Sequence, residues 1–292
     1  MNTPSPAGYA HREVTHAPPW HALVVWDVFL NALTTGLFLV AAVAELAAPA
    51  TVAPVTGYVY PLALVLLLAD LALLVLDLGN PARFHHMLRV FKPSSPMSLG
   101  TWCLTAYSLP LTGLAALDVL GWLNGLPADS HALGFVRKMF LVVGLPVAFG
   151  SMAYKGVLFS TSSQPGWRDA RWLGAYHAAS ALALGCALLM VLALASGASG
   201  LASHLWLALA ALVLLQCVPL VLLGLELWPA LNGRYRPARA RLIAAAALYG
   251  GVLSPLMLAF PGGPAATALA AGLVLAAGWL VRWAVVMLPH AH

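Results

Sequence analysis

Charged residues are scarce in this sequence. Asp, Glu, Lys and Arg make up only 8% of its 292 residues, whereas 62% are hydrophobic. A soluble domain carries about 25% charged residues, so this chain could not cover a water-exposed surface. The composition excludes a soluble enzyme and predicts an all-α integral membrane protein, because a helix satisfies its own backbone hydrogen bonds in lipid.

Cysteine is equally scarce. The three cysteines, Cys103, Cys186 and Cys217, stand singly in separate apolar runs, and no C-x-x-C pattern occurs. Iron–sulfur clusters are held by several cysteine thiolates, so we expect none in this chain. His177 and His204 begin predicted helices on opposite sides of the membrane, an arrangement that disfavours a haem between helices. We expect no metal site.

Eight apolar runs are long enough to cross a bilayer core of about 30 Å, which takes roughly 20 helical residues. Turn-forming segments separate the runs. Seven spans is the main alternative, because the last two runs are rich in Ala and Gly, and we expect the eight to form two four-helix bundles. The predicted spans are 22–46, 55–77, 98–122, 133–159, 172–196, 203–226, 239–260 and 265–288.

The basic residues divide unequally between the two sides of such a bundle. Eight spans place both termini on one side, together with 11 of the 14 Lys and Arg residues. By the positive-inside rule this side is cytoplasmic; a docking surface for a partner is the competing interpretation. We therefore expect a bacterial inner-membrane domain over 21–288, with cytoplasmic tails at 1–20 and 289–292.

Two ionisable side chains are predicted to lie just inside the basic side. Asp27 is about a turn and a half into the first helix, and Tyr154 is about a turn before the end of the fourth, followed by Lys155. At 1.5 Å per residue, Asp27 and Tyr154 are each roughly 7 Å deep. A charge at the bilayer centre costs about 2.5–3.5 kcal/mol, so we expect these helices to present an acid and a phenol to one shallow pocket.

Asp70 and Asp77 share one face of the second helix, being seven residues apart. Asp70 needs a counter-ion, for which Arg282 is the candidate, whereas Asp77 is expected to pair with Arg83 or to cap the following turn.

Acids near helix ends have a simpler interpretation. We expect Glu45, Asp118 and Glu226 to reach the lipid headgroups, and Arg137 and Lys138 to extend their charges to the membrane surface.

Two segments carry a family resemblance. Residues 76–84, LDLGNPARF, followed by 91–102, FKPSSPMSLGTW, resemble the signature of the NrfD/PsrC family, the membrane subunits of polysulfide reductase and related complexes. Residues 154–158, 165–167 and 177–185 are similar to that family's helix 4–5 region. The resemblance covers most of the chain up to residue 190, whereas the last three helices match only in hydropathy.

The resemblance implies a quinone-reactive anchor that holds no redox metal itself. Such subunits dock a ferredoxin-like iron–sulfur subunit, which is connected to a molybdopterin-type catalytic subunit. Electrons then pass between the nearest cluster and a ubiquinone or menaquinone bound at the docking face. Membrane lipids and quinone are thus expected contacts, and nucleic acid is not.

The resemblance also implies site residues. The family's quinone-binding tyrosine matches Tyr154, whereas its histidine aligns with Asp27, and Lys155 replaces a small or hydroxyl residue. We expect Asp27 and Tyr154 to be catalytic. The expected quinone-binding residues are Trp20, His21, Asp27, Tyr154, Lys155, Asp77 and Arg83. The expected partner-docking residues are His85, His86, Arg89, Lys92, Arg168 and Arg171.

Two other functions are compatible with the sequence. Acids near both faces would suit a secondary transporter or a proton-translocating protein. An assembly anchor without quinone chemistry is the third hypothesis.

Overall fold

The computed structural model describes residues 22–124, 130–162, 164, 166–258 and 263–290. Over these residues the chain is helical and contains no strand. Eight helices are long and apolar enough to cross a membrane, which confirms the prediction of eight over seven. They are α1 (Ala22–Ala47), α2 (Pro49–Leu76), α3 (Pro96–Asn124), α4 (His131–Ser160), α5 (Leu173–Ala195), α6 (Ser199–Arg234), α7 (Pro237–Leu258) and α8 (Pro264–Val286).

The eight helices group into two sets of four. Helices α1 to α4 form a closed ring in which each helix touches its neighbours and α4 returns to α1, while α5 to α8 form the second set. Contacts of α5 with α1 and α4 join the two sets. The expected arrangement of two four-helix bundles agrees with these contacts.

Glycine makes the contact between α1 and α5 unusually close. A Cβ atom added to Gly36 would lie 1.8 Å from the carbonyl oxygen of Ala181, and one added to Gly185 would lie 2.0 Å from the carbonyl carbon of Gly36. Small residues let membrane helices approach until their backbones touch. The two bundles therefore meet backbone to backbone.

The segments that join the helices alternate between two ends of the molecule. We call the end that holds the α2–α3, α4–α5 and α6–α7 connections the basic face, and the other end the opposite face. The first connection contains a 3₁₀ helix, Pro81–Leu88, and the last consists of Tyr235 and Arg236 alone. The arginines and lysines of these connections thus lie at one end.

Two helix boundaries differ from expectation. The predicted start of the second span at residue 55 is wrong, because α2 begins at Pro49, immediately after Ala48. A proline in the first turn loses no intrahelical hydrogen bond, since its missing N–H would have had no partner there. Helix α6 is also longer than the predicted 203–226, so it extends beyond the apolar run at both ends.

Helix α7 is interrupted by a π-helical segment, Ala246–Leu253. The buried side chain of Gln216 on α6 donates a hydrogen bond of 3.1 Å to the carbonyl oxygen of Gly251 in this segment. Segments of this kind leave backbone groups poorly paired, and here a neighbouring helix supplies a partner.

Candidate functional site

A buried ion network lies beneath the basic face, inside the first bundle. The Nζ atom of Lys155 lies 2.8 Å from Oδ1 of Asp27 and 2.9 Å from Oδ1 of Asp70, and it donates a further hydrogen bond of 3.0 Å to the backbone oxygen of Asp27. These side chains are at most 7% exposed. Residues of α1, α2 and α4 thereby meet at one ammonium group.

Two neutral side chains extend the network. Asn31 donates hydrogen bonds to Oδ2 of Asp70 at 3.2 Å and to the hydroxyl of Ser151 at 3.3 Å. We call Asp27, Asn31, Asp70, Ser151 and Lys155 the ionic cluster. Sequence reasoning named neither Asn31 nor Ser151, although both lie one turn from a predicted site residue, at i+4 from Asp27 and i−4 from Lys155, and hence on the same helix faces.

The composition of the ionic cluster allows it to hold a proton. It contains two carboxyl groups and one ammonium group, so it is neutral only when one carboxyl is protonated. A buried charge without a partner is costly. Besides its bond to the backbone oxygen of Asp27, the ammonium group donates a hydrogen bond to the carboxylate of Asp70 and forms an ion pair with that of Asp27. A proton gained or lost by one acid therefore changes the electrostatic environment of the other.

Tyr154 lies beside the ionic cluster. Its ring packs on Gly100 of α3, where an added Cβ would lie only 2.1 Å from a ring carbon. The ammonium nitrogen of Lys155 is 5.9 Å from the centroid of the same ring. The structure thus brings Asp27 and Tyr154 to the same lysine, on the helices expected from the sequence.

A small cavity opens at the basic face near this tyrosine. Its volume is about 310 Å³, and one of its lining residues, Thr101, directly follows Gly100, on which the ring of Tyr154 packs. The next residue, Trp102, has a buried indole N–H without a hydrogen-bond partner in the described part of the chain. The cavity is lined by His86, Met87, Val90, Lys92, Ser95, Met97, Ser98 and Thr101.

The other predicted quinone ligands that the structure describes lie outside the ionic cluster. Trp20 and His21 are outside the described residues. Asp77 is half-buried just beyond the end of α2, and Arg83 is exposed in the 3₁₀ helix. Their assignment to a quinone stays a prediction.

The predicted docking residues are all exposed at the basic face. Arg168 lies 3.7 Å from Asp169, and Arg171 lies 3.7 Å from Glu226. Glu226 also accepts the backbone N–H of Trp172 at 3.2 Å, so it binds the α4–α5 connection rather than the headgroups. The other docking residues, His85, His86, Arg89 and Lys92, follow α2.

The proposed pairing of Asp70 with Arg282 is wrong, because Lys155 takes that place. Arg282 is 1% exposed and donates hydrogen bonds of 2.9 Å to the backbone oxygen of Gly278 and to the hydroxyl of Ser180. Lys155 reaches Asp70 because α4 packs inside the first bundle, whereas Arg282 faces α5 in the second.

A second ion network lies toward the opposite face. Arg137 reaches Glu45 at 2.5 Å and Asp118 at 2.6 Å, and the hydroxyl of Tyr60 donates to Glu45 at 2.8 Å. The expectation that these acids reach the headgroups, and that Arg137 extends to the surface, is therefore wrong. The two acids share Arg137 as their counter-ion between α1, α3 and α4, whereas the neighbouring Lys138 is exposed.

Within the described residues, no three His, Cys, Asp or Glu side chains come together closely enough to hold a metal ion. The prediction that this chain binds no metal or haem stays a prediction.

Comparison with known proteins places the chain in a family. No protein of curated function matches the sequence. The sequence model of the family described as polysulphide reductase, NrfD, matches residues 11–288, nearly the whole chain and including the helices that resembled the family only in hydropathy. The chain therefore belongs to the NrfD family, the membrane subunits of oxidoreductase complexes.

Proposed function

We propose that this chain is the quinone-reactive membrane subunit of a multi-subunit oxidoreductase. In this role it exchanges electrons between an iron–sulfur subunit docked on the basic face and quinone in the bilayer. The observation that carries the proposal is the ionic cluster, a proton-holding group beside Tyr154 and close to that face. Family membership supports the anchor role, and the finer assignment is ours.

The chemistry of a quinone fits these residues. When bound, a quinone takes up two electrons and two protons. The hydroxyl of Tyr154 is a donor for a carbonyl oxygen, and Asp27 is an acid at hydrogen-bond distance from Lys155, so a proton can pass between the ionic cluster and a ligand. Burial keeps bulk water away from this exchange, because every charged member of the cluster is at most 7% exposed.

The cavity near Tyr154 supports an approach from the basic face. Its volume of about 310 Å³ is at the lower end of ligand sites, which suits a single ring. Trp102, the residue after the lining residue Thr101, has a buried indole N–H without a partner in the described part of the chain. Since a buried donor without a partner is destabilising, a carbonyl oxygen that reached Trp102 would remove that cost.

The partners follow from the position of the site. An electron donor or acceptor must come close to the ring. His86 and Lys92 of the α2–α3 connection line the cavity, and His85 and Arg89 are exposed on the same connection. We propose that these residues contact a ferredoxin-like iron–sulfur subunit. That subunit in turn exchanges electrons with a molybdopterin-type subunit. By the positive-inside rule the basic face is cytoplasmic in a bacterial inner membrane.

The test measures quinone-linked turnover in the purified complex. Replacing Asp27 by Asn should lower it by about 100-fold or more, the range typical of a positioned acid or base. Tyr154→Phe should lower it by roughly 10-fold, as one lost hydrogen bond implies. Tyr58→Phe, an exposed tyrosine near the opposite face, is the matched control.

Activity with a soluble dye that reacts at the partner subunits distinguishes loss of the quinone site from failure of the complex to assemble. It should stay unchanged in all three variants. Unchanged quinone turnover in both site variants would refute the quinone site, and parallel loss of dye activity would leave only an assembly role.

Proton translocation is the second candidate function, and a line of polar groups through the first bundle favours it. Starting at the ionic cluster, Thr34 and Tyr107 lie 3.0 Å apart between their hydroxyl oxygens. Tyr60 and Glu45 continue the line toward the opposite face. Phe38 interrupts it, since its buried ring lies between those of Tyr107 and Tyr60, at 5.4 and 5.9 Å.

A smaller side chain at position 38 tests this second candidate. Phe38→Ala would open space for water between the two tyrosines, so proton leak into vesicles holding the purified complex should rise if the line conducts. Phe140→Ala removes an aromatic ring from the same bundle, where it packs on Gly113 outside the line, and is the control. Equal leak in both variants would count against a proton path here.

A further inference from the structure

An apolar groove runs along the outside of the second bundle, between α6, α7 and α8. Its volume is about 230 Å³, and every side chain that lines it is apolar apart from the indole N–H of Trp228. On α6 the lining extends from Leu220 to Leu231, a length of roughly 16 Å. This is about half of a hydrocarbon core of about 30 Å, so the groove spans one leaflet.

The shape of the groove follows from small residues on one wall. Helix α7 contributes Ala244 and Ala247, while α6 contributes leucines such as Leu225, which is 68% exposed. The π-helical segment of α7 begins at Ala246 and is held by Gln216 on its inner side. The alanines therefore leave a depression that no side chain of the described residues fills.

Arginines stand at the end of the groove that reaches the basic face. Arg234 follows Leu231 by one turn on α6, and Arg239 precedes Ile243 by one turn on α7, so both continue the walls of the groove. Arg236 and Arg241 lie between or beside them. The guanidinium of Arg239 is held over the rings of Tyr235 and Trp283, at 5.5 and 5.1 Å from their centroids.

The charge of these arginines is not compensated within the described residues. None of the four forms an ion pair there, and three of them are exposed. The sequence contains no acidic residue after Glu226. By contrast, the exposed Arg168 and Arg171 on the same face each have an acid at 3.7 Å. Three exposed arginines thus present their charge to an external anion, with Arg234 half-buried beside them and bonded to the backbone oxygen of Pro289.

We propose that this groove binds an anionic diacyl phospholipid. One acyl chain lies between α6, α7 and α8, and the phosphate lies at Arg236 and Arg239, with Arg234 and Arg241 beside it. The apolar groove matches the acyl chain of such a lipid, and the arginines at its end match the phosphate. Basic pockets between membrane helices on the cytoplasmic side bind anionic headgroups. A protein partner would need neither a leaflet-deep apolar groove nor its alignment with the arginines.

Native mass spectrometry of the delipidated full chain in detergent tests the proposal. The probes are phosphatidylglycerol and phosphatidylcholine with the same acyl chains. Phosphatidylglycerol should bind with clear preference. Each arginine near a lipid surface contributes roughly fivefold in affinity, so R236Q/R239Q should weaken this binding on the order of 20-fold.

Two further variants provide a charge-matched control and a separate test of the apolar groove. R168Q/R171Q removes the same charge from the same face and should leave lipid binding unchanged. Ala244→Phe fills the groove without touching an arginine and should also weaken binding. Equal binding of the two lipids, or no effect of R236Q/R239Q and Ala244→Phe, would overturn the proposal. Loss of partner subunits in R236Q/R239Q with unchanged lipid binding would instead assign the arginines to protein docking.

Discussion

The ammonium nitrogen of Lys155 lies 2.8 Å from a carboxylate oxygen of Asp27, although the two residues are 128 positions apart in the chain. Among the residues that the structure describes, neither side chain has an ionic partner outside the cluster formed with Asp70. This one contact connects α1 to α4, positions Asp27 at the depth of Tyr154, and makes the acid's ionisation depend on the lysine.

Replacing Lys155 by Met should destabilise the protein severely. The change leaves two buried carboxyl groups without their cation, a loss of about 3–5 kcal/mol in the free energy of unfolding. The double variant D70N/K155M should recover part of this loss, because one of the two acids is then neutral. Unfolding of the detergent-solubilised chain, followed by circular dichroism, measures both. A double variant no more stable than K155M would show that the acids do not depend on the lysine.

Arg137 and Lys138 are adjacent basic residues with different surroundings. Arg137→Gln should lower the free energy of unfolding by about 2–3 kcal/mol, because Glu45 and Asp118 lose their shared counter-ion. The effect should be smaller than at Lys155, since the Arg137 side chain is 22% exposed. Lys138→Gln is the matched control and should change stability little, as exposed charges do. Equal losses in the two variants would contradict the second ion network.

Adding a methyl group where α1 meets α5 should lower the stability of the protein. Gly36→Ala places a Cβ against the backbone of Ala181 and should cost about 1–3 kcal/mol through overpacking. Gly272 on α8 has nothing within 4 Å of an added Cβ, so Gly272→Ala should be neutral or stabilise by up to ~1 kcal/mol. Thermal unfolding in detergent compares the two. Similar melting temperatures would mean that α1 and α5 do not pack this closely.

Cysteine labelling checks the orientation of the bundle. In a background without the three native cysteines, His85→Cys at the basic face should react with a membrane-impermeant maleimide only in inverted vesicles. Ser199→Cys at the opposite face should react only from the outside of the cell membrane. Both positions are exposed, and both should react after detergent solubilisation. The reverse pattern would place the basic face and its partners on the outer side.

The sequence predicts the architecture of this protein better than its contacts. Apolar runs and turn residues locate eight helices, because span length is dictated by bilayer thickness. Depth is also predictable, since Asp27 and Tyr154 can be counted from their helix ends. The start of α2 is harder to predict, because Pro49 is compatible with either a turn or the first turn of a helix.

Which helices pack against each other, and which charged residues therefore pair, could not be predicted from the sequence. Asp70 was assigned to Arg282 on charge alone, whereas the packing of α4 inside the first bundle brings Lys155 to it. Arg137 was expected at the membrane surface for the same reason. Hydropathy reports which residues enter the membrane but not which helix faces which, so the ion pairs of a bundle become visible only in three dimensions.

The close approach of Gly36 and Gly185 limits how this protein can move. Transporters that work by alternating access rock one bundle against another around a central site. Around these two glycines the bundles touch through backbone atoms, so sliding of α1 along α5 would bring main-chain atoms into collision there. Such a rigid helix contact suits a protein that must hold an electron donor and an electron acceptor at a fixed distance, as electron transfer between a docked partner and a bound acceptor requires.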